Sequence, residues 1–286
     1  MDNNITIVTA FFDIGRDAWT AEFKRDASFY VNSFLYYLDY PYQMVCYIDD
    51  RYIETILEKY KESKYKNKRF IPINRIWLDE NIRAWKKLPV DRKIINGERY
   101  KELLNNRLHF MYPNGIPENR RNHLFPENEF AEYNVINHSK IDFIINAIMK
   151  NHITSQFTCW CDFGYFNSQH KGVVETFPTH VLESKKFHRN KISFLLRKSV
   201  DDKDKNMEYT VVFAPEVFTG TFFGGPTHLM FELQDLYHSC IDDMHKQEIS
   251  DDDQHVYLRC YFKDPRLFDL RVIQSEEWPK GLTLFS

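Results

Sequence analysis

The first 73 residues alternate between two hydrophobic periods, and that alternation limits the fold more than any other feature of the chain. "NITIVTAFF" (4–12) is a short, apolar, β-branched run closed by Asp13 and Gly15, with the length and flanks of a buried strand. "SFYVNSFLYYL" (28–38) follows, with Tyr30, Phe34, Tyr37 and Leu38 at helical spacing. "QMVCYID" (43–49) is a second strand that runs into Asp49 and Asp50. Ile53, Ile56, Leu57 and Tyr60 then mark an amphipathic helix, and "KRFIPI" (68–73) a third strand. Strand–helix–strand–helix–strand predicts right-handed crossovers and a parallel sheet. Ligands of such sheets bind outside the carboxyl ends of the strands, where Asp13, Gly15, Arg16 and Asp49 fall.

The period weakens after residue 73. Residues 74–136 mix Asn, Arg, Pro and aromatics, most clearly in "YPNGIPENRRNHLFPENEF" (112–130), and are expected to form a loop-rich insertion. Helical spacing returns at "NHSKIDFIINAIMKN" (137–151), with Ser139 as the expected N-cap and Asp142 at N3, a capping-box pattern. Lys140 then falls in the first turn. A cation there opposes the helix dipole, yet it would stand beside N–H groups able to grip phosphate; a solvated lysine is the plainer reading. Strands are expected at 156–162, "KISFLLRK" (191–198), "EYTVVFAPEVFTGTFFGGP" (208–226) and "RLFDLRVI" (266–273), with a helix starting at Pro226.

Composition removes several functions. A net charge of −3 leaves no clustered basic excess for nucleic acid. Five cysteines without a CxxC predict buried free thiols in a reducing compartment. No HExxH supports zinc. The N-terminus lacks the basic start and long apolar run of a signal peptide, and no stretch approaches 18 apolar residues, so a cytoplasmic protein without an integral membrane segment is expected.

Three stretches carry candidate chemistry. In "FTCWCDFGYF" (157–166) a strand delivers Asp162 to its own end and opens the backbone at Gly164. A carboxylate so placed can hold a divalent cation that neutralises a diphosphate leaving group, and oxygen ligands suit Mg2+ or Mn2+. Taken alone, a solvated Asp–Phe–Gly turn is the simpler account. "FTGTFFGGPTHL" (218–229) puts Gly224 and Gly225 between an aromatic strand and a helix, either as a ligand-facing backbone or as a tight turn. "DDDQHVYL" (251–258) gathers Asp252, Asp253, Gln254 and His255 before an apolar segment, either as an acidic helix cap or as a set that includes a general base.

In this order and spacing, "ITIVTAFFDIGR", "NHSK", "WCDFGYF", "FFGG" and "DDDQHVYL" resemble the HtrL/YibB-like family of bacterial glycosyltransferase-like proteins, over nearly the whole chain. The resemblance implies one domain (1–286) with a GT-A-like α/β/α sandwich and a mainly parallel central sheet. About residues 1–165 would be its nucleotide-binding half and 166–286 its acceptor-binding half. The implied reaction moves a sugar from a nucleotide-diphosphate sugar, UDP-sugar favoured, to a glycan or lipid-linked glycan of lipopolysaccharide, capsule or a related polysaccharide, in the cytoplasm or peripherally at the membrane. Base and ribose would lie near Thr9, Ala10, Phe11 and Asp49, and the diphosphate at Arg16 and Lys140. Asp162 and Gly164 belong to a W-x-D-x-G motif that stands in place of a DxD. Asp162 and His255 are the implied ligands of Mn2+ or Mg2+. Gly224 and Gly225 would face the donor sugar, and Asp253 and Gln254 the reacting centre. Trp77, Trp85 and Tyr133 are candidates to stack on acceptor sugars, with core packing the alternative. Two other classes compete: a non-catalytic carbohydrate-binding protein, and a glycoside hydrolase using Asp162 and Asp253.

Overall fold

The computed structural model describes residues 4–19, 23–117, 125–166, 182–273 and 281–286. The N-terminal alternation is realised as β1 (Ile5–Phe11), α1 (Ala27–Leu38), β2 (Gln43–Asp49), α2 (Ile53–Tyr60) and β3 (Lys68–Ile73). Asp26 caps α1, its carboxylate accepting from the Phe29 N–H at 3.0 Å. Four more strands, β4 (Phe157–Cys161), β5 (Ile192–Leu196), β6 (Phe218–Pro226) and β7 (Phe268–Val272), complete a seven-stranded sheet in the order β3-β2-β1-β4-β6-β5-β7. Strand β6 alone runs against its neighbours. The chain travels outward from β1 to β3 and then returns to the other side of β1 as β4, so the strand order reverses between β1 and β4. That reversal opens a crevice at their carboxyl ends.

Strand periodicity sorts side chains onto two covered faces. Val8, Val45, Tyr47 and Trp160 enter one core, and Ile7, Phe11, Cys46, Cys159 and Cys161 the other. The second core is closed by α1 and α2 through Phe34, Tyr37 and Ile56. The first is closed by later helices, and here the expected loop-rich insertion is wrong. Its described residues are mostly helical: α3 (Arg75–Asn81), α4 (Leu88–Ile95), α5 (Glu98–Met111), α6 (Pro126–Glu129) and α7 (Ala131–His138); residues 118–124 lie outside the described set. The helical period is present in Tyr100, Leu103, Leu104 and Leu108, but interleaved Asn and Arg dilute it, and Arg107 shares the buried face. Pro89 and Pro126 sit in first turns, where proline starts a helix rather than breaking one.

Helix α8 (Lys140–Met149) follows α7 almost without interruption. The expected capping box is absent: Ser139 is itself in helical φ/ψ and its hydroxyl donates back to the Val135 carbonyl at 2.6 Å. Asp142 is buried instead, accepting from the Ala84 N–H, from Gln234 and from His238. The strand expected over 208–226 is divided. Its start is helix α9 (Met207–Phe213), capped by Asn206, because a side-chain cap outweighs the β-branched Thr-Val-Val run. Pro226 ends β6 opposite Phe157, and the following helix, α10 (Leu229–Lys246), begins three residues later. Helix α11 (Asp253–Lys263) precedes β7. All five cysteines are free and buried. Among the described residues no helix is long and apolar enough to cross a membrane.

Candidate functional site

The carboxyl ends of β1 and β4 open into a cleft of about 340 Å³. Its walls are mainly aromatic, with Phe11, Tyr30, Tyr133, Trp160 and Phe163 among them, and its charged groups are Asp13, Arg16, Arg25, Lys140 and Asp162. Phe11 stacks against both Tyr30 (5.3 Å) and Phe163 (5.1 Å), which makes one wall rigid. A concave, largely apolar pocket with a few convergent polar groups is the usual form of a small-ligand site.

Lys140 is neither solvated nor beside a free helix end. Its ammonium is buried and meets three oxygens: Asp253 Oδ2 at 2.8 Å, the Gly220 carbonyl at 2.9 Å and Asp162 Oδ1 at 3.1 Å. The Asp253 contact is an ion pair rather than a well-angled hydrogen bond. Burial alone would discharge Lys140, but Asp162 and Asp253 outweigh it and hold the amine above the ordinary lysine range. Asp253 is pushed up to about 7, by burial first and then by the carboxylates of Asp252 and Asp162, against the pull of Lys140.

Asp162 follows Trp160 by two residues, so both project from the same face of β4. The Trp160 indole N–H donates to Asp162 Oδ1 at 2.7 Å, the oxygen that also meets Lys140. The carboxylate is about one-third exposed at the cleft, and no hydrogen bond or ion pair to its Oδ2 is found among the described residues. The backbone around it is pinned as well, its N–H donating to Thr221 O and its carbonyl accepting from the Tyr37 hydroxyl, both at 2.9 Å.

Arg16 stands across the cleft. Gly15, at φ 77°, turns the chain out of β1 into a short 3-10 helix that begins with Arg16. The guanidinium donates to the Tyr30 hydroxyl (2.5 Å) and the Phe23 carbonyl (3.0 Å), and it packs over Trp19 and Tyr133. It is more than nine-tenths buried, its Nε is without a partner, and it makes no ion pair among the described residues.

Other residues singled out from the sequence divide between the cleft and its support. Ala10, Phe11 and Gly164 line the cleft. Thr9 does not: it is fully buried, and its hydroxyl has no partner among the described residues. Asp49 is buried beneath the cleft's edge, taking the Asp13 N–H (3.1 Å) and a fork from Arg51, so it fixes the β1 turn. Gly224 and Gly225 pair with Cys159 and Thr158, toward the amino end of β4 and away from Asp162. A Cβ at Gly224 would stand 2.4 Å from Cys159 Sγ, so these glycines serve close packing within the sheet and not a ligand. Gln254 folds back onto Asp252, which caps α11. Trp77 stacks on Phe143 and Trp85 is fully buried, whereas Tyr133 faces the cleft.

The metal implied by the resemblance does not fit the residues expected to hold it. Asp162 is tied to Trp160 and Lys140, while His255 pairs with Asp251 Oδ2 at 2.7 Å. His255 loses from burial but gains more from Asp251, which raises it to about 9, a cation rather than a ligand. Among the described residues, Asp251, Asp252 and His255 do approach one another closely enough to share an ion. Both Asp252 oxygens, however, accept from Gln254, both Asp251 oxygens are engaged, and none of the three lines the cleft.

Sequence reasoning missed the cleft residues Arg25 and Tyr30, and it also missed Gly220. This glycine adopts φ 63° where β6 slips in register against β5, between Phe218 and Phe223. This bulge aims its carbonyl at Lys140, and a Cβ there would lie 2.8 Å from Asp253 Oδ2. A lone glycine inside a strand pattern was the available signal.

Residues 3–286 match the family described as "Bacterial protein of unknown function (HtrL_YibB)". The chain is also similar to "Protein HtrL" of Escherichia coli (strain K12), 26% identical over 283 residues, which span 97% of this chain and 91% of that protein. The motifs at the cleft and the match along the whole chain agree: this chain is a member of the HtrL_YibB family.

Proposed function

We propose that the chain is a glycosyltransferase that takes a sugar from a nucleotide-diphosphate sugar, with a surface glycan as acceptor and the GT-A-like fold as its scaffold. One observation carries the reading. At the strand-order reversal, a buried guanidinium (Arg16) faces the same aromatic cleft as a carboxylate (Asp162), and among the described residues the first has no counter-charge and the second has one oxygen without a partner. An uncompensated buried cation is costly, and an anionic ligand removes that cost. A nucleoside diphosphate supplies the anion, a planar base for Phe11, Tyr30 and Tyr133, and ribose hydroxyls able to donate to Asp162 Oδ2. Arg25, also on the cleft, adds charge for the diphosphate.

In this reading Arg16 and Arg25 stabilise charge developing on the leaving diphosphate. Asp162 orients a hydroxyl, and Lys140 with Trp160 keeps Asp162 in place. Asp253 lies behind Lys140 and off the cleft lining, so it sets the state of Lys140 and does not face an acceptor. The same placement disfavours a two-carboxylate hydrolase, which needs both acids open to one glycosidic bond. A thermal-shift screen of UDP, GDP, ADP and CDP against free hexoses tests the reading. One diphosphate is expected to raise the melting temperature while free sugars do not; saturation at 100 times Kd corresponds to about 2.7 kcal/mol. If no nucleotide shifts the curve, the proposal fails.

A further inference from the structure

We infer that Lys140 is the resident cation of the Asp162–Asp253 pair, standing where a divalent ion would otherwise be held, and that the cleft takes its ligand without a divalent metal at Asp162. The inference goes beyond the transferase reading and does not need it.

The distances separate the two kinds of cation. Lys140 Nζ has oxygens at 2.8, 2.9 and 3.1 Å, the spacing of N–H···O contacts. Carboxylate oxygens on Mg2+ lie near 2.0–2.1 Å and on Ca2+ at roughly 2.3–2.6 Å. Three oxygens surround the ammonium: the Gly220 carbonyl of β6 accepts a hydrogen bond, and Asp162, just past the end of β4, and Asp253 of α11 are ion-paired to it. The seat is built for it. The bulge at Gly220 delivers the carbonyl and leaves room for Asp253, and Trp160 holds Asp162 Oδ1 toward the ammonium. A divalent ion bridging Asp162 and Asp253 would have to share this space with a buried positive charge, and like charges at that range repel strongly in a medium of low dielectric. With Oδ1 fixed, Asp162 offers one oxygen, Oδ2, which suits a ligand hydroxyl.

Mn2+ is the probe. Free Mn2+ is counted by electron paramagnetic resonance in the presence of wild type, Asp162→Asn and Lys140→Met, alongside melting curves at pH 8. Wild type and Asp162→Asn should take up Mn2+ equally, and EDTA should leave the wild-type melt unmoved. Lys140→Met, left with buried Asp253 and half-buried Asp162 and no counter-ion, should melt several degrees lower and recover in millimolar Mn2+, which wild type does not need. Wild-type Mn2+ binding weakened tenfold or more by Asp162→Asn would overturn the inference. So would a Lys140→Met protein as stable as wild type. If Lys140→Met does not fold, the wild-type and Asp162→Asn comparison decides alone. No nucleotide enters these measurements, so their failure is separate from that of the transferase reading.

Discussion

Two glycines at positive φ have opposite surroundings, and the contrast yields a prediction at the residue scale. A Cβ at Gly15 (φ 77°) would meet nothing within 4 Å, whereas one at Gly220 (φ 63°) would collide with Asp253. Gly15→Ala should therefore cost only the left-handed strain, about 1 kcal/mol. Gly220→Ala should add displacement of Asp253 and of the carbonyl on Lys140, for a total of roughly 2–4 kcal/mol. Urea unfolding of both variants measures the difference. Equal losses would mean that the bulge does not hold the Lys140 cluster. The same glycine shows how a site can be half legible. The motif containing it is legible, but the Gly224–Gly225 pair is its more conspicuous feature, because which glycine bends a strand depends on partners that only the fold supplies.

At the scale of the element, the amino end of α11 concentrates charge that titrates near neutrality. His255 is raised from 6.5 to about 9, burial opposing and Asp251 prevailing. A group whose pKa rises on folding stabilises fully below its unfolded value and loses that contribution as pH climbs through the folded one. The His255–Asp251 pair thus supports the fold below pH 6.5 and ceases to by about pH 9, a change on the order of 3 kcal/mol. Asp253 and Glu127, both raised to about 7 by burial first, act in the same direction between about pH 4 and 7. Unfolding free energy should therefore fall from pH 6.5 to pH 8, above which the buried Lys68 amine, lowered to about 8 by burial, acts in the opposite direction, and His255→Gln should flatten the slope above 6.5. A wild-type profile that rises over this range would refute the assignment. The elements themselves were readable wherever one period ran undisturbed, as in β1, β2, α1 and α2. They were not where polar residues share the buried face, as Arg107 does in α5, since a buried polar residue with partners looks solvated in a linear pattern.

For the whole molecule, the seven-stranded, mainly parallel sheet flanked by helices follows from the order of hydrophobic periods, and the cleft lies where that order reverses. Arg16 and Asp162 could be named in advance because strand ends are visible in sequence. Their division of labour with Lys140 and Asp253 could not, because it depends on three elements meeting at one ammonium.

In the proposed function, Asp162 ends its strand to serve a ligand and not the fold. Asp162→Asn keeps the size of the side chain and an oxygen for Trp160, and it leaves Lys140 paired with Asp253. Melting temperature and release of nucleoside diphosphate from a nucleotide-sugar panel, measured together on wild type and this variant, test that role. An unchanged melting temperature is expected, with a turnover lower by roughly 10²–10³, equivalent to about 3–4 kcal/mol of transition-state stabilisation. A variant that melts well below wild type but turns over donor at a near wild-type rate would contradict that role.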